Sequence, residues 1–266
     1  MVLGMGGRTL STSPARVGRA LLVTTVTFAA AGAAVLAGLS LGAGEASATV
    51  TPGSTLAVVI GVDHYGAAAP ELRSSVHDAE TVDAALGAAG VPASDRVLLR
   101  DKEATAANIV AALTQLASRA TPATTTVVFF AGHARSLGGG REAILAADGQ
   151  LITDQELAGM LAPITGHMWI GMAACYGGGF TELLAPGRVL TAAADAQSEA
   201  YENDKLGVSY LVDGLVQHGL SGNFSRRSIQ DAFDAGTNYI KRDHPDRLPV
   251  MVSQTDGPLV VVNPAR

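Results

Sequence analysis

Cysteine is almost absent from this 266-residue chain: Cys175 is the only one. A single thiol cannot close an intramolecular disulfide, so stability has to come from an apolar core. Aromatic residues make up only 5% and charged residues only 16%, with a formal net charge of −6 and no basic stripe. That composition excludes the cationic face and stacking platform of a nucleic-acid binder. No GxGxxG or P-loop run is present, so an α/β domain here lacks a phosphate cradle for nucleotides. There is no HExxH run and no second cysteine, and His77, His167, His218 and His244 show no metal-ligand spacing. No metal site and no cofactor are therefore expected. What the chain has is apolar material: 48% hydrophobic residues and 31 glycines, enough for one large or two small domains.

Residues 1–48 read as a targeting segment rather than part of the fold. Arg8, Arg16 and Arg19 precede an uncharged run from Ala20 to Gly44, followed by Glu45 and Ala46-Ser47-Ala48. A basic flank, an apolar run and a small-x-small site describe a secretory signal. The run of about 25 residues is also long enough to span a bilayer, which keeps an uncleaved anchor open. Either way the remainder is expected outside the cytoplasm, secreted or tethered to the outer face of the cytoplasmic membrane through residues 20–44. Without residues 1–48, which hold three arginines and one glutamate, the 18 basic and 24 acidic residues fall to 15 and 23. A lone thiol kept in an oxidising compartment draws attention to Cys175.

Residues 49–54 read as a breaker-rich linker, and residues 55–266 as one α/β domain. A continuous apolar run at 56–62 predicts a strand buried on both faces, the run at 124–131 a second buried strand, and those at 96–100, 167–174 and 189–194 further strands. Helical spacing falls at 71–89, closed by Gly90, and at 105–120, opened by Thr105. Thr153-x-x-Glu156 is a capping box for a helix toward Leu161. Further helices are expected near 207–218 and 225–242, a small hairpin strand at 143–147, and closing strands at 250–252 and 259–262. Strand and helix in alternation predict a mostly parallel central sheet with helices on both faces.

In such sheets reactive groups gather where strands end at their carboxyl edge. Two strands end in a reactive residue: FFAGH delivers His133 and IGMAAC delivers Cys175, 42 positions apart. If those strands are neighbours, imidazole and thiol face one cleft. An imidazole in reach can take a thiol proton and return it to a leaving amine. Backbone N–H groups in the turns around His133-Ala134 and Cys175-Tyr176 offer oxyanion donors. The combination describes acyl transfer, most simply peptide hydrolysis. A buried core histidine is the bland alternative for His133.

LAVVIGVDHY, SSVHDAE, VVFFAGHA, ITDQEL and IGMAACYGGG follow in order the landmarks of caspase-like cysteine peptidases, and the chain from about 55 to 195 resembles their bacterial metacaspase relatives. The resemblance implies a caspase-like fold, peptide or protein substrates, His133 as general base and Cys175 as nucleophile. It also implies the amides of Ala134 and Cys175 as oxyanion hole. Two departures stand out. The family's His-Gly is His133-Ala134 here, where a methyl restricts the backbone. Its Asp-x-Cys is Ala173-Ala174-Cys175, so the carboxylate that binds a basic side chain is missing at 173. Asp78, in the family's Asn-Asp-Ala stretch, stands either as a remaining substrate-binding carboxylate or as a helix-surface charge.

Asp63, His64 and Tyr65 follow the first strand and are expected to hold its turn. Asp195, Glu199, Glu202 and Asp204 read as a solvated acidic loop; some metacaspases bind calcium at acidic loops, but these residues cannot be matched to that site. Trp169 reads as core. An extracytoplasmic cysteine endopeptidase is the first reading. A catalytically impaired binding or scaffold relative and a legumain-like cysteine hydrolase are the alternatives.

Overall fold

A computed structural model describes residues 53–203 and 205–263. The targeting segment, most of the linker and Asp204 lie outside the described residues. Among the described residues, the longest apolar runs become the centre of a six-stranded sheet. Its strands are β1 (Thr55–Gly61), β2 (Arg96–Arg100), β3 (Thr125–Ala131), β7 (Met168–Ala173), β8 (Arg188–Ala192) and β11 (Val250–Ser253), in the order β11-β8-β7-β3-β1-β2. All neighbours are parallel except the β11–β8 pair, which is antiparallel. Every residue of β1, β7 and β8 is buried, the pattern of strands covered on both faces.

The two faces carry separate cores, and strand alternation divides the residues between them. Val58, Ile60, Val128, Phe130 and Ile170 point to one side, where α2 (Ala106–Arg119) and α3 (Asp154–Leu161) contribute Ile109, Leu113, Leu157 and Leu161. Ala57, Val59, Val127, Phe129 and Trp169 point to the other, against α1 (Ser75–Ala88), a π-helix (Val212–Gly219) and α4 (Ile229–Asp243). Trp169 is fully buried, and its indole N–H donates to Thr191 Oγ1 at 2.9 Å. Thr105 and Thr153 cap α2 and α3 as their sequence patterns require, the latter with the reciprocal Glu156 bond. Gly90 takes φ +95 just past the end of α1.

Several expected elements differ. The first helix starts at Ser75, not near Glu71, because the Asp63 carboxylate accepts the N–H groups of Ser75 and Val76 and fixes the first turn there. The expected hairpin strand is the middle of a three-stranded antiparallel sheet, β4 (Ala134–Ser136), β5 (Glu142–Leu145) and β6 (Leu151–Thr153). A two-stranded ladder, β9 (Glu202–Asn203) with β10 (Val208–Ser209), precedes the π-helix. The last helix begins after Ser228, whose hydroxyl caps Asp231 N–H, rather than at Ser225. The segment 259–262 is not a strand. Leu259 and Val261 are buried, but Leu259 N–H is taken by the Gln230 side chain and Leu259 C=O by Ile229 N–H, so no strand can pair with it. No described helix is long and apolar enough to cross a membrane.

Candidate active site

The site follows from one register. β3 and β7 are parallel neighbours with Ala131 opposite Ala173, and His133 and Cys175 each lie two residues beyond that pair. Both therefore emerge at the carboxyl edge of adjacent strands, and both line a cleft of about 360 Å³ with Asp78, Ala134, Ala173, Ala200 and Glu202.

Between β3 and His133 the chain has no room for a side chain. A Cβ on Gly132, at φ +154, would meet the Tyr65 hydroxyl and the Phe130 ring. His133 N–H donates to the Tyr65 hydroxyl at 2.8 Å, and the imidazole ring lies beside the phenol with centroids 4.9 Å apart. Its Nε2 is 2.8 Å from the carbonyl oxygen of Pro70. A carbonyl only accepts, so this contact makes Nε2 the donor, and in the neutral form of the ring the lone pair then lies on Nδ1. Ala134 opens β4 opposite Ile144, and Leu145 N–H donates to His133 C=O. That makes Ala134–Ile144 a non-hydrogen-bonded pair, with the Ala134 N–H directed away from the ladder.

After β7 the chain turns sharply. Tyr176 adopts a left-handed φ of 57° and its N–H donates to Ser198 C=O at 2.9 Å, leading into a single turn Gly177–Gly179. Cys175 is half-buried, and its Sγ accepts Ala200 N–H at 3.4 Å. Burial pushes the thiol above its ordinary value, the Ala200 amide pulls it back, and the Glu199 carboxylate adds to the rise. The thiol is thus mostly protonated at neutral pH and needs a base in order to attack.

The other wall of the cleft is acidic. Asp78 is 1% exposed, which rules out a helix-surface charge, and it accepts Ser209 N–H at 2.8 Å. Burial lifts its carboxyl to about 8, against the pull of the Ser209 bonds and with the help of Glu202 and Asp63. Glu202 is not a solvated loop residue. Its carboxylate accepts the N–H groups of Arg73 and Ser74 and the Ser74 hydroxyl, at 2.6–2.9 Å. Burial alone would raise this carboxyl, yet the Ser74 and Arg73 bonds hold it below the usual range. Asp195 and Glu199 are exposed, as expected of that loop. Ala173 reaches the cleft with a methyl group only. Tyr65, Pro70 and Ala200 escape sequence reasoning, because their roles arise from loops folding back onto the two strand ends.

Among the described residues, no group of three His, Cys, Asp or Glu side chains is arranged to hold a metal ion. A buried carboxyl, Glu142, sits against Gly179 in the turn after Cys175, where a Cβ would collide with it. Burial raises this carboxyl, and Asp154 and Glu182 add to the rise.

Comparison with known proteins bears on the fold and the family. No curated protein matches the chain. Two solved structures share the fold: a protein from Geobacter sulfurreducens, with a TM-score of 0.62 at 16% identity, covering 77% of this chain and 94% of that one, and caspase-1 from Spodoptera frugiperda, with a TM-score of 0.58 at 15% identity, covering 81% and 92%. The family model described as the caspase domain matches residues 54–232. The chain therefore belongs to the caspase-domain family, a family of cysteine-type peptidases.

Proposed function

We propose that the protein is a cysteine endopeptidase acting outside the cytoplasm, with Cys175 as nucleophile and His133 as base. The observation that carries this reading is the Ala131–Ala173 register, which sends imidazole and thiol into one cleft from adjacent strand ends. His133 Nδ1 takes the thiol proton as Sγ bonds to the scissile carbonyl carbon. The amides of Ala134 and Cys175 stabilise the oxyanion. On collapse the C–N bond breaks, and the amine leaves with the proton from His133. Water then attacks the thioester, again giving its proton to His133, and the acid product departs as the thiol reforms. This chemistry requires no cofactor.

Asp78, with Glu202 and Asp63 close enough to raise its carboxyl, is the group we assign to binding a basic side chain of the substrate. Among the described ion pairs, none includes Asp63, Asp78 or Glu202, and a cationic side chain entering the cleft would favour the ionised form of Asp78, which burial otherwise keeps protonated at neutral pH. Residues 1–48 would deliver or tether the domain.

A second reading, a binding or scaffold relative, draws on the Ala200 N–H that holds Sγ and on the alanines at 134 and 173. Hydrolysis of arginine- and lysine-containing peptides by the full chain separates the two. Cleavage that disappears in both Cys175→Ala and His133→Ala supports the peptidase. A wild-type rate no higher than that of either variant supports the scaffold.

A further inference from the structure

We infer that Tyr65 is the positioning residue of the His133 base, a role that rests on the peptidase reading above. Three contacts converge on this phenol. Its hydroxyl accepts the His133 main-chain N–H at 2.8 Å. Its ring lies against the imidazole at 4.9 Å between centroids, inclined by 50°. Its hydroxyl also occupies the space a Cβ on residue 132 would fill, so glycine at 132 and tyrosine at 65 depend on each other.

The same loop supplies the other half of the cradle. Pro70, five residues on, accepts the Nε2 proton at 2.8 Å. Tyr65 and Pro70 are held in fixed relation because the loop closes on itself twice. Ala68 N–H donates to Tyr65 C=O at 3.1 Å, and Leu72 N–H donates to Asp63 C=O at 3.0 Å. The backbone of His133, one face of its ring and its Nε2 proton are thereby all met by one hydrogen-bonded loop, leaving Nδ1 to act as the base. Tyr65 does not act as a base itself. It is 3% exposed, and burial pushes its phenol well above the ordinary value, so it stays protonated. A base held in one orientation and one tautomer avoids the loss that free rotation about its side-chain bonds would bring.

Tyr65→Phe keeps the ring and removes the acceptor. In the full chain we expect kcat for a basic peptide to fall about tenfold with KM changed less than about twofold. The rate of Cys175 alkylation by iodoacetamide should fall toward that of His133→Ala across neutral pH, with the melting temperature close to wild type. Tyr65→Phe that keeps the wild-type kcat and alkylation profile, while His133→Ala loses both, would overturn the role of Tyr65 and leave the dyad standing. Wild type and His133→Ala alkylating alike with the same pH profile would overturn both together. If the variant melts early, the wild-type protein still decides by nitrogen NMR: the Tyr65 contact and the Pro70 bond require a slowly exchanging His133 amide and an Nε2–H tautomer. A fast-exchanging amide or an Nδ1–H tautomer contradicts the inference.

Discussion

The Asp78 carboxylate accepts the Ser209 N–H at 2.8 Å, joining the first turn of α1 to β10 across 131 positions of chain. Carboxyl and amide meet at the inner wall of the cleft, where Asp63 and Glu202 fix neighbouring turns. The bond serves two ends that conflict. It ties the loop leading to the π-helix onto α1, and it keeps a carboxyl away from water in a place suited to a cationic ligand.

That conflict has a pH signature. The ordinary value of the Asp78 carboxyl is 3.8 and its folded value about 8. The folded form therefore holds the proton more tightly than the unfolded chain. This contribution to stability is complete below about 3.8 and is lost as pH rises to about 8. Asp78→Asn keeps an acceptor for Ser209 and carries no charge. Its urea midpoint should therefore rise steadily relative to that of wild type as pH increases from 4 to 8. The variant should also lose the fall in KM for arginine peptides that wild type shows as Asp78 ionises. Parallel midpoints across this range would contradict the buried-carboxyl account.

Ala173 marks the other half of the specificity argument. It is paired with Ala131 and reaches the cleft with a methyl group. Ala173→Asp restores the carboxylate of the family pattern beside Asp78, and should raise kcat/KM for arginine or lysine peptides about tenfold over apolar ones. Competition between the two peptide classes in one reaction measures this directly. An unchanged ratio would show that position 173 does not face the bound side chain. The size follows from one added charge–charge contact in a partly desolvated site, about 1–2 kcal/mol.

The end of β1 is packed as tightly as the site it supports. A Cβ on Gly61 would meet the Ser75 carbonyl, the Ala79 methyl and the Val76 Cα. Two of these are backbone atoms of α1 and cannot swing aside. Gly61→Ala should cost about 1–3 kcal/mol by overpacking and should shift α1, and Asp78 with it. Chemical denaturation reads the stability loss. The loss of activity should exceed it, since the unfolded fraction at low denaturant stays small.

The central strands and the positions of His133 and Cys175 are legible in the sequence because both signals are local. A buried parallel strand is a short apolar run, and a reactive residue directly after it is already placed at the carboxyl edge. The caps at Thr105 and Thr153 are local in the same sense. The start of α1 is not, since it is set by Asp63 from another element, twelve residues earlier. Leu259–Val262 carries a strand-like run, yet Gln230 and Ile229 take its backbone groups, and no composition signal announces that. Tyr65 reads only as a turn residue, because its partner is a main-chain N–H 68 positions away. Glu202 reads as solvated for the same reason, with its partners 128 and 129 positions away.

Labelling of Cys175 tests the dyad most directly. An arginine chloromethyl ketone peptide is incubated with the full chain at neutral pH, and the modified residue is located and timed by mass spectrometry. A thiol raised by burial and served by a positioned base should label at Cys175 at least about 100-fold faster in wild type than in His133→Ala. Equal labelling rates in the two proteins would contradict the dyad, and with it the peptidase.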